Sequence, residues 1–173
     1  TGNDNTVIGK SAGLLLQGAA NNNTIVGAMA GDAMTTNNLN TLIGYSAGGS
    51  LKGGDANANV AIGVNAFQRE VAYGASTVAV GYEALYNQSG STISNTANTA
   101  LGHQTLTTLT TGAYNTAVGG KAGNKIKDAT YSTHVGYYSG AYATGSYNTF
   151  VGANAGLGGT TSAPYSSGQY NTA

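Results

Sequence analysis

A glycine recurs down this chain at Gly9, Gly27, Gly44, Gly63, Gly81, Gly102, Gly119, Gly136 and Gly152, at intervals of 16 to 21 residues that average about 18. A period of this length constrains the fold strongly. Each unit is too short to bury a core alone, so units must stack on their neighbours. A tenth unit begins at Asn171-Thr172-Ala173. Residues 1–173 therefore read as a single repetitive β-solenoid segment of about nine coils, expected to be part of a longer chain because neither end carries a recognisable cap.

The columns around the glycine carry the physics. One place before it stand Ile8, Val26, Ile43, Ile62, Val80, Leu101, Val118, Val135 and Val151, all aliphatic. Two before lie Val7, Ile25, Leu42, Ala61, Ala79, Ala100, Ala117, His134 and Phe150, and three before is Thr or Val throughout. Four before is Asn5, Asn23, Asn40, Asn59, Asn98, Asn115 and Asn148, with Thr77 and Ser132 in the other two units. Three after is small, and four after is either Gly or a large apolar residue such as Phe67, Leu85 or Leu106.

A short β-branched run bounded by Asn and Gly is a strand signature. Strand side chains alternate between faces, so both faces of this one are apolar, and burial on both sides is expected. A narrow coil can cover only one of them. The simplest cover for the other is a second copy of the chain, which argues for a homo-oligomer. A weaker apolar column seven after the glycine (Leu16, Met34, Leu51, Leu109, Ile126, relaxed to Ala143) suggests a second strand closing each coil. The remaining stretches vary in length and read as outward loops. Helix is not expected, since Gly and β-branched residues interrupt every 3.6-residue stripe. Stacked Asn side chains are expected to bond amide to amide along the rod. Nine rungs at roughly 4.8 Å would span on the order of 43 Å.

Composition agrees with a stacked rod. Gly numbers 28, only 7% of residues are charged, and six basic groups balance six acidic ones. Like charges repeated rung upon rung would repel, so low charge suits such an assembly. The neutral balance lacks the basic footprint of a nucleic-acid partner. Without Cys there is no disulfide scaffold, thiolate catalysis or zinc-cysteine site. No apolar run approaches the roughly 20 residues of a membrane span.

The phrases Asn98-Thr99-Ala100-Leu101-Gly102, Asn115-Thr116-Ala117-Val118-Gly119 and Ser76-Thr77-Val78-Ala79-Val80-Gly81-Tyr82-Glu83-Ala84-Leu85 resemble the repeats of trimeric, YadA-head-like adhesins. They are more similar still to the NTAVGxxAL-type repeats of phage tail fibres and large bacterial surface proteins. The resemblance covers essentially the whole chain. It implies an all-β homotrimer of parallel β-rolls winding side by side around a three-fold axis, outside the cell or on a virion. Its unit is longer than that of the adhesin heads, and several units carry Gly where the nearest pattern carries Leu.

Candidate chemistry is sparse. Gly9-Lys10-Ser11 has the end of a phosphate-binding loop, but Asp4 stands where its first Gly is required. His103 and His134 are the only histidines, and neither has metal-ligand spacing to a second ligand. His134 interrupts an apolar column, and three copies facing a three-fold axis would make it an axial ion candidate. The six acidic residues fall at different phases, unlike a calcium-binding roll. No Gly-x-Ser-x-Gly elbow is present. No catalytic residue, cofactor or enzyme activity is expected. Tyr73, Tyr86, Tyr142 and Tyr165 in the loops are candidate surface contacts, because amphipathic rings suit sugar or protein partners. The leading expectation is a fibre segment of an adhesin or tail-fibre-like appendage: a rigid spacer, with a host-surface glycan or protein as the partner of its loops. The alternatives are an enzyme on a hexapeptide β-helix, whose six-residue aliphatic series fails at Asp32, and an ice-binding solenoid suggested by the Thr column.

Overall fold

The computed structural model describes residues 2–52, 56–69, 75–88, 96–158 and 168–173. Among them are nine strands and no helix: β1 (Thr6–Ile8), β2 (Thr24–Val26), β3 (Thr41–Ile43), β4 (Val60–Ile62), β5 (Val78–Val80), β6 (Thr99–Leu101), β7 (Thr116–Val118), β8 (Thr133–Val135) and β9 (Thr149–Val151). They form one parallel sheet in chain order, β1 to β9. The register pairs like with like, as in Ala79↔Ala100 and Val80↔Leu101. The chain is a β-solenoid with one strand per unit. Thr172 adds a bridge to Thr149, so the tenth unit follows the same path.

Two invariant geometries hold each unit in step. The strand ends at the anchor glycine, whose φ lies between 124° and 139° in all nine units. A β-carbon there would meet the next anchor, as at Gly119, where it would sit 2.7 Å from the Gly136 carbonyl oxygen. The rungs can therefore close to sheet spacing only with Gly at this place. After the glycine the backbone follows a tight path whose amides bond alternately up and down the stack. Lys121 N donates to His103 O at 2.9 Å in the coil before, and Gly123 N to Ser139 O at 2.9 Å in the coil after. These bonds hold residues in the left-handed region at fixed places, for example Glu83 (φ 52°), Gln104 (φ 53°) and Lys121 (φ 58°) two after the anchor. Such conformations are costly for side-chain-bearing residues in isolation. Here two flanking rungs impose them.

The interior is filled by four apolar columns. The residue two before the anchor points inward and is buried in β2 through β9. It meets the residues three, four and seven after. Sizes compensate between two of these places. Where the inward strand residue is Ala61, Ala79 or Ala100, the residue four after is Phe67, Leu85 or Leu106, all fully buried. Where it is Ile25, Leu42, His134 or Phe150, that place is glycine (Gly31, Gly48, Gly140, Gly156), and the large side chain lies over it. The β7 unit has both small, with Ala117 and Gly123. Its space is taken by Leu106 Cδ2 and His134 Cδ2 from the neighbouring coils, 2.8 and 3.4 Å from a β-carbon at Gly123. Close packing of this kind leaves no room for a methyl group too many or too few.

The structure corrects one expectation. The column seven after the anchor is buried (Met34, Leu51, Leu109, Ile126, Ala143) but forms no strand among the described residues. Its apolar signal reports an inward side chain, and burial alone does not make a ladder. In the single chain the strand is buried on one face, the one side that a narrow coil can cover. Residues two before the anchor face inward, while those one and three before stand outside the coil. Ile8 and Val151 are 60% exposed and Leu101 is 46% exposed.

Candidate interaction surface

Stacking identical units turns each outward position into a column, and the columns are the candidate sites. The outer face of the sheet carries two, running in register along all nine strands: the aliphatic residues from Ile8 to Val151, and the Thr/Val residues from Thr6 to Thr149. Thr6, Thr24, Thr116 and Thr149 are exposed. An aliphatic stripe of this length, open to solvent on a single chain, is the kind of contiguous apolar surface that marks an interface.

Beside it, and inside the coil, runs the Asn column. Asn23 Oδ1 accepts from the backbone N and the Nδ2 of Asn40 at 2.9 and 3.2 Å. Asn40 Oδ1 accepts from the same two atoms of Asn59 at 3.0 and 3.1 Å. The Nδ2 groups of Asn23, Asn40, Asn98 and Asn115 also reach loop carbonyls, as Asn115 does to Ala129 O at 2.7 Å. The ladder thus ties strand to strand and strand to loop. Ser132 keeps it running by accepting from Asn148 N at 3.2 Å. Thr77, in the same column, takes a bond from its own backbone N to Asn59 Oδ1 at 3.0 Å. The expected structural residues Asn5, Asn23, Asn40, Asn59, Asn98, Asn115 and Asn148 all stand in this column, and the nine anchor glycines all end strands. A second ladder, six places before the anchor, joins Asn3, Asn21, Asn38 and Asn57 through backbone N to Oδ1 bonds of 2.6 to 2.8 Å. The Asn-rich sequence contains that column openly, at one fixed offset, but it stops after four units.

The tyrosines divide. Tyr114, Tyr131, Tyr147 and Tyr170, five places before successive anchors or the tenth-unit phase, form a continuous stack. Ring centroids lie 4.9, 5.2 and 4.9 Å apart, with planes within 11° of parallel. All four are exposed and have left-handed φ between 54° and 61°. The faces of Tyr131 and Tyr147 are covered by their neighbours on both sides, so these two rings meet solvent mainly by their edges and hydroxyls. Tyr131 completes the stack although Ser132, and not Asn, follows it. Of the loop tyrosines expected as contacts, Tyr86 and Tyr142 are half-buried, and Tyr142 lines a hollow described below. Tyr73 and Tyr165 lie outside the described residues.

His134 is placed differently from the axial position considered for it. Its column points into the coil of its own chain, where His134 is fully buried with its ring 5.7 Å from that of Phe150. Neither ring nitrogen has a hydrogen-bond partner. Burial holds its pKa down at about 4, so the imidazole is neutral and serves as an apolar filler. Three copies cannot meet from inside three separate coils. Among the described residues no group of three His, Cys, Asp or Glu side chains is arranged to hold a metal ion.

Two hollows open on the side of the coil away from the sheet. One, of about 490 Å³, is lined by Thr108, Lys125, Lys127, Asp128, Tyr142 and Thr144. The other, about 380 Å³, shares Thr108 and Lys127 with it and adds Arg69, Asn87 and Thr110. Comparison with protein-family models, with curated proteins and with solved structures gives no match.

Proposed function

We propose that the chain is a structural segment of an extracellular fibre, of the adhesin or phage tail-fibre kind, that works as a rigid spacer in a parallel homotrimer. The observation that carries this is the uninterrupted aliphatic column on the outer face of β1–β9. Nine consecutive units keep Val, Ile or Leu at a place that the single chain leaves exposed, as at Ile8, Ile43, Leu101 and Val151, or half-buried, as at Val80 and Val118. Burying such a column against a second copy is favourable by roughly 25 cal/mol per Å², and identical parallel columns meet naturally around a symmetry axis. The interior ladders and size-matched core supply the stiffness a spacer needs. The absence of an enzyme role remains part of this reading, as does attachment to a host surface through the outer columns.

Oligomeric state tests it directly. Sedimentation equilibrium of the full chain is expected to give a trimer, and Val80→Lys with Val118→Lys is expected to give monomers whose far-ultraviolet spectrum is unchanged. A wild-type monomer in solution would sink the proposal. A second reading draws on the exposed Thr column beside the aliphatic one, an arrangement suited to ordering water as an ice-binding face. Inhibition of ice recrystallisation by a monomeric chain would favour it, since a trimer of the proposed kind covers those threonines.

A further inference from the structure

The chain has six basic side chains, and three of them, Arg69, Lys125 and Lys127, line the two adjoining hollows that share Thr108 and Lys127. The concentration follows from the fold. Lys125 and Lys127 stand six and eight places after their anchor, on either side of buried Ile126, so both point outward. Arg69 stands six after its own anchor, three rungs earlier, which separates it from Lys125 by roughly 14 Å at about 4.8 Å per rung. All three are exposed. Among the described residues the one carboxylate at this place is Asp128, which accepts from the hydroxyls of Thr110 and Thr111 at 3.0 and 2.8 Å. Among the described residues the two lysines form no ion pair, and Arg69 reaches only Asn87 Oδ1 at 3.5 Å. A rod of zero net charge therefore gathers half its cations in one cleft, against a single carboxylate among the described residues that line it.

From this we infer that the cleft formed by Arg69, Thr108, Lys125, Lys127 and Tyr142 binds an acidic polysaccharide, a few sugar units long, lying along the rod. The backbone excludes a strand-adding peptide here. Its amides are spent on rung bonds, as in Lys125 N to Ala141 O at 2.9 Å and Thr110 N to Lys127 O at 2.8 Å. What the cleft offers a ligand is charge, hydroxyls and one phenol ring. Those groups suit a chain of hydroxylated rings bearing carboxylate or sulfate. A single-stranded nucleic acid would ask for a row of aromatic faces on which successive bases stack, and the cleft lining holds one ring, that of Tyr142. The cleft lies across the coil from the outer sheet face, because the residues seven after the anchor meet the inward strand residues, as Leu51 and Leu42 do beside Gly48. Assembly through that face would leave the cleft open. The inference deepens the attachment part of the proposed function, and its outcome does not depend on how many chains associate.

The test is calorimetric titration of the full chain with a heparin octasaccharide, with a neutral maltooligosaccharide and a short single-stranded DNA as parallel probes. Binding of the octasaccharide alone is expected, weakening as salt rises. Lys125→Gln with Lys127→Gln is expected to weaken it at least tenfold, while Lys10→Gln with Lys121→Gln, which removes the same charge elsewhere, leaves it within twofold. No binding by the wild-type chain, equal binding of DNA, or equal loss in the two double variants would each overturn the site. Because oligomeric state is read separately, failure here leaves the fibre reading to stand or fall by sedimentation.

Discussion

Leu42 and Gly48 share one volume inside the third coil: a β-carbon added at Gly48 would come 2.8 Å from Leu42 Cδ2 and 2.9 Å from Leu51 Cδ1. The next coil solves the same space the other way round, with Ala61 on the strand and Phe67 opposite. The left-handed backbone at this place is held in both cases, at φ 59° for Gly48 and 50° for Phe67. The core is thus specified by the sum of two side chains.

A double-mutant cycle reads that sum. Leu42→Ala alone empties a buried site and is expected to cost about 2–4 kcal/mol. Gly48→Leu alone overfills it and is expected to cost about 2–3 kcal/mol, including roughly 1 kcal/mol for the left-handed backbone. Together they recreate the pattern of Ala79 and Leu85. The double variant is expected to be more stable than either single one, with a coupling of about 2 kcal/mol or more in chemical denaturation. Additive losses would show that the two places do not share a volume.

The anchor glycines differ sharply from their neighbours. Gly119 has φ 124° and no room for a β-carbon beneath Gly136, whereas a β-carbon at Gly120 would meet only the Tyr137 ring, at 3.3 Å. Gly119→Ala is expected to lower stability by about 2 kcal/mol or more, through strain plus displaced rungs. Gly120→Ala is expected to stay within about 0.5 kcal/mol. Thermal unfolding of the pair side by side separates backbone necessity from mere glycine richness.

The Asn115 side chain makes three bonds that no alanine can make. Its Nδ2 donates to Asn98 Oδ1 and Ala129 O, and its Oδ1 accepts from Ser132 N; the bond from its backbone N to Asn98 Oδ1 would survive the substitution. Asn115→Ala leaves a buried amide and a buried carbonyl unpaired and is expected to cost about 2–4 kcal/mol. Asn115→Ser, the residue the next coil already uses at Ser132, is expected to lose about half as much. If hydrogen exchange at Ser132 N did not speed up in the alanine variant, the ladder would not be holding that rung.

Burial of His134 predicts a pH dependence with a definite sign. Its folded pKa is depressed to about 4 from an ordinary 6.5. Between those values the unfolded chain takes up a proton that the folded chain refuses. Stability is therefore full above pH 6.5, declines as the pH falls through the window, and levels off below about 4. A shift of this size corresponds to a loss on the order of 3 kcal/mol. His134→Leu, which restores the column's usual chemistry and removes two unpaired nitrogens, is expected to flatten the profile between pH 7 and 4 and to raise the melting temperature at neutral pH. A profile unchanged by the substitution would assign the acid sensitivity elsewhere.

Much of the fold was readable because a solenoid repeats its constraints. The strand before each glycine, its bounds between Asn and Gly, and the Asn ladder all follow from columns such as Thr41-Leu42-Ile43-Gly44 set beside Thr116-Ala117-Val118-Gly119. The exchange of size between Ala61/Phe67 and Leu42/Gly48 is equally present in those columns, but shows only when two are compared unit by unit. What periodicity could not separate was an inward side chain from a strand, since Leu51, Leu109 and Ile126 alternate with exposed neighbours whether or not their backbone joins a ladder. The tyrosine stack and the basic cleft were hidden for another reason. Tyr131 and Arg69 are ordinary members of variable places, and only rung spacing brings them to Tyr114, Tyr147 and Lys127.

By itself the sequence determined the period, the strand, the obligatory glycine and the scarcity of charge, because each is imposed by contacts between a unit and its immediate copies. The tertiary structure alone decided which side of the strand is inside. Both sides are apolar, and no local rule can choose between them. The choice is made by where the chain turns after each glycine, which carries Leu42, His134 and Phe150 into the coil and leaves Ile43, Val135 and Val151 on its outer face.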